Sequence, residues 1–256
     1  MSSPVQHSAS ASATTVALAD RDSRHAAVAL SVTLPGDVVL YLLLPMVGAA
    51  FGVTLAEAGL LLAANRLVRI VGYGWVARFY ARRGDRPTCT LAVLAATICA
   101  IGYATLSGFW ALLPLRLLWG LSFAALNLAT QVLATAEPIG AAPRSGRSRA
   151  FIAIGPVIAL PAAALLAQAA GPRLIFVVLA GVALTGLLVT RHLPSTGHPG
   201  ISGERPRMKL PNALDAWSFM EGFTLDGLFI IGLSFLGKEL LPGNAMLAAG
   251  VLLALR

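Results

Sequence analysis

Apolar runs long enough to cross a lipid bilayer recur along nearly the whole chain, and this feature alone removes most fold classes. Eight runs can be drawn: 27–51, 55–80, 88–107, 109–136, 149–169, 173–190, 214–237 and 243–255. Stretches of about 18 or more apolar residues with few charges read as membrane-spanning helices. The last run reaches only about 20 Å at 1.5 Å per residue, short of the roughly 30 Å hydrocarbon layer. Hydrophobic residues make up 57% of the chain and charged residues 12%, against about 25% charged in soluble domains. A water-soluble fold of 256 residues could not hide that much apolar surface. The expected class is therefore all-α, a polytopic bundle of membrane helices in contact with the lipid bilayer.

Residues 1–26 hold Ser2, Ser3, Ser8, Ser10, Ser12, Thr14 and Thr15 without apolar periodicity, and read as a disordered cytoplasmic tail. The first apolar run begins too late and is too long for a cleaved signal peptide. The formal charge is +8, but the basic residues cluster between apolar runs, a pattern that orients a membrane protein and gives no reason to expect nucleic acid as a partner. One set of alternate loops carries Arg82, Arg83, Arg86, Arg144, Arg147, Arg149, Arg191, Arg205, Arg207 and Lys209, and the other only Arg173 and Lys238. Lys and Arg are retained on the cytoplasmic side, so the N-terminus, the 82–87 and 137–149 loops and the 191–212 segment are expected in the cytoplasm, in a multi-pass protein of the cell membrane. Residues 27–190 form a six-helix block and 191–212, rich in Pro, Gly and charge, a linker. Residues 213–256 read as the start of a second, incomplete bundle of about two further helices, with the chain truncated at its C-terminus.

Several polar side chains fall inside the apolar runs. Asp37 lies about ten residues into the first, some 15 Å deep. A central charge costs roughly 2.5–3.5 kcal/mol on insertion scales, so it faces an interior, a partner or water. Asn65 and Arg66 fall at similar depth on the second span, with Arg69 one turn from Arg66 on much the same face. Arg116, on the fourth span, is about 10 Å deep, so Asp37, Arg66 and Arg116 can meet. Steps of 3.6 residues from Arg116 pass close to Gly120, Phe123, Asn127 and Gln131. Two readings stay open: a transport cavity, or helix packing in which Asp37 bonds a neighbour, Gly120 permits close approach and the amides bond across an interface.

Catalytic chemistry finds no support. His7, His25, His192 and His198 lie in the tail or the linker, and no HExxH, GxSxG or clustered acidic metal site is visible. Cys89 and Cys99 share one apolar run with no CxxC neighbour and read as packing residues. No cofactor, metal or enzyme activity is expected.

Three local patterns resemble the major facilitator superfamily. Gly74 followed by Arg82, Arg83, Gly84, Asp85 and Arg86 is similar to the family's basic loop between the second and third helices, although these arginines also suffice as topology signals. Arg116-Leu-Leu-Trp-Gly120 looks like the family's Arg-x-x-x-Gly pattern, linked to proton coupling. Gly155-Pro156 resembles the Gly-Pro motif of family exporters, where it bends the fifth helix; Pro is also commoner in membrane helices generally. Six helices, a basic linker and a new helix match the family's two-half layout.

The resemblance implies a secondary transporter that moves a small molecule by alternating access, as proton-coupled efflux or antiport. Asp37 would carry the proton and Arg116 would bias it, in a cavity lined by Asp37, Asn65, Arg66, Arg116 and Asn127. The other reading is a truncated, non-transporting membrane protein that needs a partner or a missing half. Glu221 and Asp226, in the seventh run, would face that half.

Overall fold

The computed structural model describes residues 4–195, 212, 213, 216, 217, 220, 232 and 245–255, and all regular structure among these is helical. In order these helices are α1 (Pro4–Thr33), α2 (Pro35–Val47), a 3-10 turn (Gly48–Phe51), α3 (Leu55–Arg83), α4 (Asp85–Thr105), α5 (Phe109–Thr135), α6 (Ala141–Ala170), α7 (Leu174–Thr190) and α8 (Ala245–Leu255). Most of the 214–237 run, including Glu221 and Asp226, and most of the 191–212 segment lie outside the described residues.

Local sequence sets the helix boundaries. Pro35 has no amide to give the Ser31 carbonyl, which separates α1 from α2; Leu34 keeps a right-handed helical backbone, so the two run on nearly as one element. Thr54 and Glu57 form a reciprocal capping box at the start of α3, with bonds of 2.8 and 3.3 Å. At the other end of α3 the chain needs φ +80° at residue 84, which glycine adopts without strain.

The helices pack as a bundle. α3 lies on α5, α4 between α5 and α7, α1 against α5, α6 and α7, and both α2 and α8 against α6. Trp119, Phe51, Phe176 and Tyr103 fill the interior, while Ile70 and Val71 of α3 stay 77% and 85% exposed. Apolar exposure of that degree suits lipid, not water. Four described segments are long and apolar enough to cross a membrane: Thr14–Phe51, Asp85–Thr105, Phe109–Thr135 and Ala141–Ala170. α3 is long enough but carries Asn65, Arg66, Arg69 and Arg78; of these Asn65 is buried, Arg66 and Arg69 are partly buried and Arg78 is exposed.

Two departures from the sequence reading have one cause. The chain is helical from Pro4, where a disordered tail is expected as far as residue 26, and α6 begins at Ala141, inside the expected 137–149 loop. Asp20 on α1 accepts from Arg144 Nε at 2.7 Å and Arg147 Nη2 at 3.0 Å on α6. Arg144 also donates to the carbonyls of Ala134, Glu137 and Ile139, groups left open where α5 ends. It is 2% exposed, a structural cation that holds three segments together. At the opposite end Arg173 does similar work, donating to Ala50 O, Ala104 O and Ser107 Oγ.

Candidate functional site

Asp37 stands in the first turn of α2, 4% exposed, and receives donors from two other helices. Arg116 Nη1 of α5 lies 2.5 Å from its Oδ1 and Arg69 Nη2 of α3 lies 3.3 Å from its Oδ2. Asn65 Nδ2 bridges both oxygens at 3.1 and 3.4 Å. Arg116 is fully buried and its Nε donates to the Leu61 carbonyl at 3.3 Å. A carboxylate with two guanidinium partners and an amide is how a charge persists at this depth.

The close approach of α3 and α5 depends on Gly120. A methyl group there would fall 2.3 Å from Val68 Cγ1 and 2.7 Å from the Asn65 carbonyl, so only glycine lets α5 come near enough for Arg116, one turn away, to reach Asp37. Gly155 has the same office between α6 and α1: a methyl there would lie 2.0 Å from the Ser31 carbonyl, and its amide donates to Ser31 Oγ at 3.1 Å.

Beside the carboxylate is a cavity of about 340 Å³ lined by Leu34, Asp37, Val38, Tyr41, Arg66, Arg69, Phe123, Pro156, Leu160 and Leu253. Arg69 lies over the Phe123 ring, 3.8 Å from its centroid, and Arg66 stands 5.8 Å from the Tyr41 centroid. Among the described residues, Arg69 Nε and Asn65 Oδ1 are buried without a hydrogen-bond partner, and the Tyr103 hydroxyl faces the Arg116 guanidinium.

Of the residues singled out from sequence, Asp37, Asn65 and Arg116 meet directly, and Arg66 and Pro156 share the cavity wall. Arg69, not Arg66, is the α3 cation on Asp37. The signal was the four-residue step from Asn65, which puts both side chains on one face. Asn127 stands apart from the Asp37 cluster, and its backbone carbonyl accepts from the Thr130 hydroxyl. Gln131 is exposed in a separate cleft of about 420 Å³ with Ser145, Ser148 and Arg149. In the basic loop, Asp85 is buried and accepts from the Tyr80 hydroxyl, whereas Arg82 and Arg86 are exposed. The Arg86 amide donates to Pro194 O at 3.0 Å. A methyl at Gly74 would meet nothing within 4 Å, so packing does not demand that glycine.

A comparison with curated proteins returned no match. Among solved structures, the chain is similar to a crystal structure of a D-xylose-proton symporter, with TM-score 0.57 and 15% identity, over 94% of this chain and 65% of that one. At that identity the likeness shows the fold. The chain thus spans less than two thirds of the length of the symporter chain. The family model of the Major Facilitator Superfamily matches residues 26–254. An all-helical bundle with this fold, matched by that model over almost its whole length, belongs to the Major Facilitator Superfamily.

Proposed function

We propose that the chain serves a secondary transporter of a small solute, working by alternating access and driven by protons. The observation that carries this reading is the buried Asp37–Arg116 pair beside a cavity. Asp37 is the group that takes up the proton. While ionised it holds Arg116 and Arg69 across the interface of α2, α3 and α5. Once protonated it releases them, so one proton changes the contacts between three helices. The D-xylose-proton symporter, similar in fold, is by its title a proton-coupled transporter, which favours protons as the coupling ion here. Outward movement of the solute rests on the Gly155-Pro156 pattern. The basic end of the bundle, with Arg82 and Arg144, faces the cytoplasm, and 191–212 links the six-helix block to a second bundle.

The test is proton movement in proteoliposomes under an imposed pH gradient of either sign, read by a trapped pH-sensitive dye as solutes are added. Solute-dependent movement is expected from the native chain and is expected to vanish in Asp37→Asn. Movement that persists in folded Asp37→Asn protein would overturn the assignment. Well-folded chain with no movement for any solute would instead support the reading in which this chain does not transport by itself.

A further inference from the structure

The donors and acceptors around Asp37 are out of balance. Its Oδ1 accepts from Arg116 and Asn65 and its Oδ2 from Arg69 and Asn65, which leaves little for a cationic ligand to bind. The donors are in the opposite condition. Among the described residues Arg69 Nε is buried and unpartnered, while the one unpartnered acceptor of the cluster, Asn65 Oδ1, does not line the cavity; two guanidinium groups share one carboxylate, so Asp37, Arg69 and Arg116 together carry one positive charge in excess. An unneutralised charge is strongly disfavoured inside a membrane. Asp37 and Arg69 both line the cavity, but Arg69 is the more open to it, its side chain 25% exposed against 5% for Asp37.

The rest of the wall fits the apolar part of such a ligand. Phe123 lies flat under the Arg69 guanidinium at 3.8 Å, and Tyr41 stands opposite Arg66. A volume of about 340 Å³ is near the lower end of ligand pockets, roughly 300–1,000 Å³, enough for a ring and one polar group. A guanidinium pairs with a planar carboxylate through two parallel N–H donors.

Resting on the transport reading above, we infer that the solute taken by this cavity is a small organic monoanion, a carboxylate on a planar apolar body. Arg69 holds the carboxylate, and the body lies against Phe123 and Tyr41.

Benzoate, benzamide and benzamidine have nearly the same shape and carry charges of −1, 0 and +1, so they separate charge from fit. Their binding to the purified full chain in detergent is measured by equilibrium dialysis and by the shift in melting temperature. Benzoate is expected to bind saturably, benzamide at least tenfold more weakly and benzamidine not at all. Arg69→Gln should weaken benzoate at least tenfold, with Arg69→Lys in between. Tighter binding of benzamide or benzamidine, absence of saturable benzoate binding, or unchanged affinity in folded Arg69→Gln protein overturns the inference. If Arg69→Gln does not yield folded protein, the charge series on the native chain decides. Binding needs no transport, so benzoate binding without proton movement in proteoliposomes would sink the transport reading and leave the anion site. Proton-coupled movement of neutral or cationic solutes without benzoate binding would do the reverse.

Discussion

Arg116 Nη1 on α5 meets Asp37 Oδ1 on α2 at 2.5 Å, and the two side chains are 0% and 5% exposed. Neither has water to fall back on, so removing one strands the other. A broken buried pair costs about 3–5 kcal/mol in soluble proteins. Arg116→Leu and Asp37→Asn should each lower the melting temperature of the purified protein, and the double variant should melt above at least one of them. Additive losses in the double variant would show that the contact contributes nothing.

Gly155 and Gly74 are a matched pair for testing close approach. A methyl at Gly155 collides with the Ser31 carbonyl at 2.0 Å, whereas one at Gly74 meets nothing. Overpacking costs about 1–3 kcal/mol, so Gly155→Ala should destabilise by that order or more while Gly74→Ala stays within about 0.5 kcal/mol. Melting curves of the two variants, taken side by side, decide it.

Arg144 and Arg147 both touch Asp20, but their side chains are 2% and 60% exposed. Arg144→Gln leaves three carbonyls and a carboxylate without their cation and should destabilise by about 1–3 kcal/mol. Arg147→Gln breaks a solvent-screened contact of about 0–1 kcal/mol. Equal effects of the two substitutions would contradict the structural role given to Arg144.

Asp37 and a bound carboxylate would draw on the same Arg69 guanidinium. Asp37→Asn removes that competitor and should therefore raise benzoate affinity at neutral pH, measured by equilibrium dialysis. Arg66, Arg69 and Arg116, with Tyr41, Tyr103 and Cys99, are the other charged or titratable groups around the carboxylate. Unchanged or weaker benzoate binding in folded Asp37→Asn protein would show that the carboxylate does not compete for Arg69.

Orientation is accessible to cysteine labelling, because Cys89 and Cys99 are buried and give little background. Arg86 and Thr105 are exposed at opposite ends of α4. Cysteine at position 86 should resist an impermeant reagent added outside intact cells, and cysteine at 105 should react. The inverse pattern would reverse the proposed topology.

The apolar runs made the helices legible before any coordinates, because membrane helices satisfy their own backbone and need only length and hydropathy to be seen. Depth arithmetic also brought Asp37 and Arg116 to one level. Rotation of a helix about its axis is harder to read: each residue turns by about 100°, so choosing between Arg66 and Arg69 as the partner of Asp37 needs the packing of α3 on α5. Asn127 continues the polar stripe of Arg116 but lies about 16 Å further along the helix, which a stripe alone does not penalise. The order in α1 was out of reach for a different reason: the partner of Asp20 is 124 residues away, and no local pattern announces it.

Pro35 leaves the Ser31 carbonyl without its helical donor, and Pro156 does the same to Ile152 on the neighbouring helix, with Gly155 pressed against Ser31 between the two breaks. Two adjoining helices are thus weakest at one height. Below it, Asp20 ties α1 to Arg144; just above it stands Asp37. The molecule has in effect a knee, with Asp37 on one side of it and the strap to the basic end on the other.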